Sequence, residues 1–183
     1  MTNGWTDNSI SYSSPKLGNV SVNASVFLDD GEENDHDANV GLVFSKENYT
    51  VGVQYLAVES AGVVAKSIAD SDAIRLYGSS KFGKWTLAAS VEMIDVPAAD
   101  EQNYHYVSTT YQHRENLKFA LSIGRVDSVS SVADGIGFSI GSFYSFPTKT
   151  TLSFIVSDVD LDTGEDRQVI ALGISQKISY SID

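Results

Sequence analysis

The sequence predicts an all-β protein, an antiparallel barrel that crosses a membrane on tilted strands. Three observations lead there. Apolar and polar residues alternate with a period of two along most of the chain, the mark of strands with one apolar face. The alternating segments mostly run about 9–12 residues; an ordinary strand has about 5–6 and a tilted membrane strand about 9–11. Their connections alternate strictly between short turns and longer loops, the pattern of bacterial outer-membrane barrels.

Eleven strands are expected, at roughly 7–14, 19–28, 37–46, 49–59, 72–81, 84–94, 103–113, 116–126, 135–146, 149–158 and 168–180. In the second, Val20, Val22, Ala24, Val26 and Leu28 share a face opposite Ser21, Asn23, Ser25 and Phe27. The third sets Ala38, Val40, Leu42 and Phe44 against Asn39, Gly41, Val43 and Ser45. The sixth sets Trp85, Leu87, Ala89, Val91 and Met93 against Thr86, Ala88, Ser90 and Glu92. In the eighth, Leu117, Phe119, Leu121 and Ile123 oppose Lys118, Ala120, Ser122 and Gly124. Ile136, Phe138 and Ile140, then Leu152, Phe154 and Val156, then Ile170, Leu172 and Ile174 continue the pattern. Only 62–70 could hold a helical turn.

The short connections are 15–18, 46–48, 81–84, 113–116 and 146–149; the long ones are about 29–37, 59–72, 95–103, 126–135 and 158–168. All of the 24 carboxylates except Asp7, Glu47, Glu92, Glu115 and Asp183 lie in or beside the long set. Lys16, Lys46, Lys81, Lys84, Arg114, Lys118, Lys149 and Lys177 lie in or near the short turns or the C-terminus. Hairpin pairing would therefore give one rim that is long-looped and negative and another that is tight and basic.

With 183 residues, one domain is expected. No apolar run approaches the about 20 residues of a membrane helix. A net charge of −12 argues against a nucleic-acid binder, which needs a basic patch. Without cysteine there is no disulfide, thiolate nucleophile or thiolate metal site. Residues 1–20 show no basic-then-apolar signal segment, so either the protein is not exported or its start lies upstream. A soluble sandwich also alternates, with its apolar face inward. The alternative reading is therefore a soluble or surface all-β structural or adhesion protein with acidic binding loops. The Ser-, Thr-, Asn-, Gln- and Gly-rich polar face, with few large charged side chains, favours the barrel.

Parity selects candidate wall residues. Arg75 lies with Ala73, Tyr77 and Ser79, opposite Ile74 and Leu76. Gln54, Glu92, Gln112 and Lys118 fall on polar faces by the same count. These five are the expected pore-lining residues, because a water-filled channel selects by size and wall charge. The opposite register would put charges in lipid at about 2–4 kcal/mol each. Aromatic residues near strand ends suggest an interfacial girdle of Tyr12, Tyr49, Trp85, Tyr104, Tyr111, Tyr144 and Tyr180, with Phe82 and Phe146 beside them.

Nothing points to catalysis, a metal or a cofactor. His36, His105 and His113 form no cluster, and there is no G-x-S-x-G, P-loop or H-E-x-x-H. Asp158, Asp160 and Asp162 suggest a calcium loop, but Gly164 falls one place late and Val169 stands where the bidentate Glu belongs. Loose bridging of divalent cations between loop carboxylates and lipopolysaccharide remains open.

The segment Asn8-Ser9-Ile10-Ser11-Tyr12-Ser13-Ser14-Pro15-Lys16-Leu17-Gly18 resembles the N-S-I-x-Y-x-S-P-x-[FL]-G stretch of the Gram-negative general porins. There it follows the constriction loop. Gly141–Thr150, GSFYSFPTKT, is similar to that family's penultimate hairpin, Y-x-[FL]-S-K-R-T. The rest of the chain is similar in pattern only. The chain ends Tyr180-Ser181-Ile182-Asp183, where the family commonly ends in an aromatic residue.

The resemblance implies a water-filled trimeric channel in the outer membrane of a Gram-negative bacterium. It implies lipid and lipopolysaccharide as surroundings and small hydrophilic solutes as cargo. It also implies sixteen strands, of which these eleven would be the C-terminal portion. Residues 1–183 would then be one porin barrel domain lacking its first five strands and its constriction loop, whose acidic groups face basic wall residues in the family.

Overall fold

Long alternating segments joined by tight turns can pair only with their sequence neighbours, and they do. The computed structural model describes residues 9–28, 36–58, 71–95, 101–128, 134–163 and 165–177. They form one sheet of eleven antiparallel strands whose spatial order is the chain order. The strands are β1 (Ser9–Ser13), β2 (Val20–Phe27), β3 (Asp37–Lys46), β4 (Tyr49–Val58), β5 (Ser71–Phe82) and β6 (Trp85–Asp95). They continue as β7 (Gln102–Arg114), β8 (Leu117–Ser128), β9 (Gly135–Ser145), β10 (Thr150–Leu161) and β11 (Arg167–Gln176).

Nearly all expected boundaries hold to within about two residues; β10 runs three further, to Leu161. Asp158 and Asp160, read as loop from their charge, pair with Phe138 and Ile136 within the ladder. The possible helical turn at 62–70 and the expected strand residues 7–8 and 178–180 lie outside the described residues, and β11 stops at Gln176, short of Lys177.

The turns set the register. Two residues separate Lys46 from Tyr49 and Phe82 from Trp85, and both pairs close their hairpins. Gly83, the first central residue of the second turn, takes φ +56°, a conformation that an L side chain resists. The β7–β8 register shifts between Gln112 and Arg114, a bulge beside the turn.

Transverse rows of paired residues drift steadily along the strands. The row that starts at the Lys46–Tyr49 turn runs through Ser80, Leu87, Thr109, Leu121, Ile140 and Val156 to Ile170, well inside β11. Such a stagger tilts the strands against the axis of a curved sheet, as a barrel requires.

There is no second layer. Among the described residues each strand contacts only its sequence neighbours. The face that carries Val40, Leu42, Val53, Leu76, Ile123, Phe138 and Phe154 lies open. Leu56, Val58 and Ala73 form a small buried cluster on the opposite face, with Phe27 and Ile94 packed against it. A soluble sandwich would bury the first face, since a contiguous apolar surface of this extent is costly in water. Pairing from strand to strand places Val20 in the same row as Ile123, so the alternating apolar residues of β2 and β8 share one face. No ladder joins β1 to β11 among the described residues.

Candidate functional site: the polar face of the sheet

The polar face is built row by row. Asn23, Gly41, Gln54, Arg75, Glu92, Tyr104, Val126, Gly135 and Leu161 form one row across β2 to β10. Three expected wall residues, Gln54, Arg75 and Glu92, thus stand side by side on consecutive strands. The Nε of Arg75 lies 3.8 Å from Oε2 of Glu92, whose side chain is 8% exposed against 36% for arginine. The Arg75 guanidinium also sits 5.8 Å from the centre of the Tyr77 ring, an arrangement that favours the cation.

Two rows nearer the short turns, Ser45, Thr50, Ser79, Ala88, Ser108, Ser122, Ser139 and Ser157 form a band of small, mainly hydroxyl residues. Within it the Ser45 and Thr50 hydroxyls bond at 3.2 Å and those of Ser139 and Ser157 at 2.7 Å. Seven glycines within β3, β4, β8, β9 and β11 also fall on this face. At Gly52 an added Cβ would overlap the Tyr77 ring, so glycine there makes room for an inward-facing tyrosine.

Gln112 and Lys118 are cross-strand partners on the same face, close to the 114–117 turn. The Gln112 amide donates to the Arg114 carbonyl at 2.6 Å, which ties it to that turn. The Lys118 Nζ lies 4.9 Å from the centre of the Phe143 ring.

One expectation is corrected. Tyr104 does not share a face with Tyr111; it stands beside Glu92 on the polar face. The two tyrosines are seven positions apart, and an odd spacing along an unbulged strand puts side chains on opposite faces. That signal was present in the sequence. Tyr77 and Tyr106, absent from the expected wall residues, also lie on the polar face, as partners of Ser90.

Tyr12, Tyr49, Trp85, Tyr111 and Tyr144 are on the apolar face, towards its short-turn end. The rings of Trp85 and Tyr111 are 4.7 Å apart, those of Tyr144 and Phe146 4.9 Å, and those of Phe44 and Tyr49 5.8 Å. Tyr180 lies outside the described residues.

Towards the loop end the apolar face turns polar. The Tyr55 hydroxyl donates to Asp72 at 2.6 Å, Arg125 reaches Asp127 at 2.6 Å, and His105 lies 3.9 Å from Asp127. Among the described residues no group of three or more His, Asp or Glu is arranged to hold a metal ion. Of the calcium-loop residues, Asp158 accepts from the Gln168 amide at 3.0 Å, and Gly164 lies outside the described residues.

A single sheet with an open apolar face, a hydroxyl- and glycine-rich opposite face and staggered hairpins defines a membrane β-barrel wall. A family model described as Gram-negative porin matches residues 1–175, and the chain belongs to that family. Its place is the outer membrane. An anion-selective porin from Comamonas acidovorans is similar in structure, with a TM-score of 0.72 and 14% identity over 85% of this chain and 49% of that one. A porin structure refined at 1.8 Å resolution gives 0.69 and 17%, over 90% of this chain and 59% of that one. A loop-deletion mutant of OmpT, an outer-membrane protein of Vibrio cholerae, gives 0.71 and 15%, covering 92% and 61%. No curated protein matches the sequence. The chain spans about half to three-fifths of the length of these solved porins.

Proposed function

We propose that the protein forms a water-filled channel for passive diffusion of small hydrophilic solutes and ions across the outer membrane. The observation that carries this reading is the division of one continuous sheet into an open apolar face and a face of hydroxyls, glycines and a few charges. Lipid can take up the first at no cost, and water can wet the second. Arg75, Glu92, Gln54, Gln112 and Lys118 line the channel in this reading, and Tyr104 joins them. Tyr12, Tyr49, Trp85, Tyr111, Tyr144 and Tyr180 serve as the interfacial girdle, where rings with one polar end are favoured.

Residues 1–183 act as part of a single barrel domain, completed by further strands that pair with the open edges of β1 and β11. A constriction loop outside these residues narrows the lumen. The assembly is a homotrimer in contact with lipid and lipopolysaccharide. The role is passive, without catalysis or cofactor. Planar-bilayer recording on the full-length protein tests this. Stepwise insertion of ohmic channels is expected, and a detergent-free monodisperse protein without conductance would refute it.

A further inference from the structure

The bulge at the end of β7 changes the face of one side chain. Gln112 pairs with Lys118 on the polar face, but Arg114 pairs with Leu117, whose strand parity is apolar. Strict alternation would put Arg114 on the same face as Gln112, two positions before it. The extra residue turns it outward, a recurrent use of such bulges. His113 also faces outward, because its ring lies 6.1 Å from that of Tyr111 and 6.3 Å from that of Phe119. Tyr111 in turn lies against Trp85, its cross-strand partner.

Lys84 completes the group. It sits in the turn before Trp85, where its carbonyl accepts from the Gln112 amide at 2.8 Å. Its Nζ donates to the His113 carbonyl at 3.1 Å, which holds the ammonium beside the same strand end. An ammonium has three donors and a guanidinium five, so both side chains keep donors to offer. Among the described residues neither forms an ion pair with a carboxylate. Glu115, the acidic residue of the 113–116 turn, lines a recess with Gln112, Lys118 and Phe143, all of the polar face. Glu47 is in the neighbouring 46–48 turn, beside Lys46.

The outer face therefore carries two cations next to a run of exposed or half-buried rings, all at its short-turn end. Short turns face the periplasm in such barrels, and rings with one polar end favour the head-group level. A phosphate suits the two cations, and the rings suit the glycerol and the start of an acyl chain. A head group with its own ammonium would meet repulsion from both. We propose that Lys84 and Arg114, with Trp85, Tyr111 and His113, seat the phosphate of an anionic glycerophospholipid in the periplasmic leaflet. The inference rests on the proposed contact of this face with lipid.

Trp85 provides the readout. The full-length protein is placed in vesicles of phosphatidylglycerol and phosphatidylethanolamine, with one lipid or the other brominated near the head of its acyl chains. Quenching of the Trp85 signal, taken by difference from Trp85→Phe, gives the relative association of the two lipids. A basic residue near an anionic lipid surface is worth about fivefold, so a preference for phosphatidylglycerol of at least about tenfold is expected. Lys84→Gln and Arg114→Gln should each lower it about fivefold. Arg114→Lys should retain it. Lys16→Gln removes the same charge at a distant short turn and should change it less than about twofold.

Equal quenching by the two brominated lipids would overturn the site while leaving the lipid-facing assignment standing. So would equal losses in Lys16→Gln and the two site variants, which would assign the preference to the charge of the whole rim. A Trp85 that neither brominated lipid quenches would refute the lipid contact itself, and the site with it.

Discussion

Arginine substitution at two adjacent residues of β8 turns the two-faced sheet into a measurable difference. Ile123 is near the middle of this 12-residue strand, on the apolar face and 48% exposed. Full burial of an isoleucine side chain is worth about 1.5–3 kcal/mol, so the half that meets lipid contributes about 1 kcal/mol. An arginine at mid-depth on the lipid side costs about 2–4 kcal/mol. Ile123→Arg should therefore destabilise the barrel by about 3–5 kcal/mol. Ser122 faces the other way, between Ser108 and Ser139 in the hydroxyl band. Ser122→Arg should cost less than about 1 kcal/mol, as at other wetted positions. Reversible urea unfolding of the full-length protein from phospholipid vesicles, followed by tryptophan fluorescence, reads both. Equal losses, or a larger loss at Ser122, would refute the face assignment.

Gly83→Ala should cost about 1–2 kcal/mol, because φ is +56° there, whereas Gly78→Ala, with ordinary contacts for its Cβ, should stay within about 0.5 kcal/mol. Both are read from the same unfolding curves. The Trp85 and Tyr111 rings, 4.7 Å apart, should show a coupling of about 0.5–1.5 kcal/mol in a double-mutant cycle with alanine. The carboxylates of the long-loop set should give a mild cation preference that fades once salt shortens screening to below about 8 Å. A reversal potential under a salt gradient measures it, and anion selectivity would assign control to Arg75 and Lys118.

Fold and faces were legible because a period of two fixes both at once. The short turns even determine cross-strand partners: two residues between Phe82 and Trp85 put Arg75 opposite Glu92. What parity could not supply was distance and engagement. The bulge after Gln112 and its amide bond to the Arg114 carbonyl depend on local backbone geometry. A recess beside Arg75, lined by Leu56, Glu92 and Tyr104 among others, depends on four strands, β4 to β7, meeting in register, and nothing within one strand signals it. Tyr104 lies near a strand end, as a girdle residue would, but its parity puts it beside Glu92 on the polar face. The expected strand ends at Asp158, yet the ladder continues past it through Asp160, because the end of a barrel strand near the rim tolerates charge.

The central claim is that one face of this sheet meets water and the other lipid. Residues 1–183 contain no cysteine, so single cysteines placed among them report their own surroundings. Cysteines placed in turn from Leu117 to Gly124 in the membrane-inserted full-length protein can be exposed to a charged, membrane-impermeant thiol reagent. The account predicts fast labelling at positions 118, 120, 122 and 124 and protection at 117, 119, 121 and 123. Labelling without alternation, or with the opposite alternation, would contradict it.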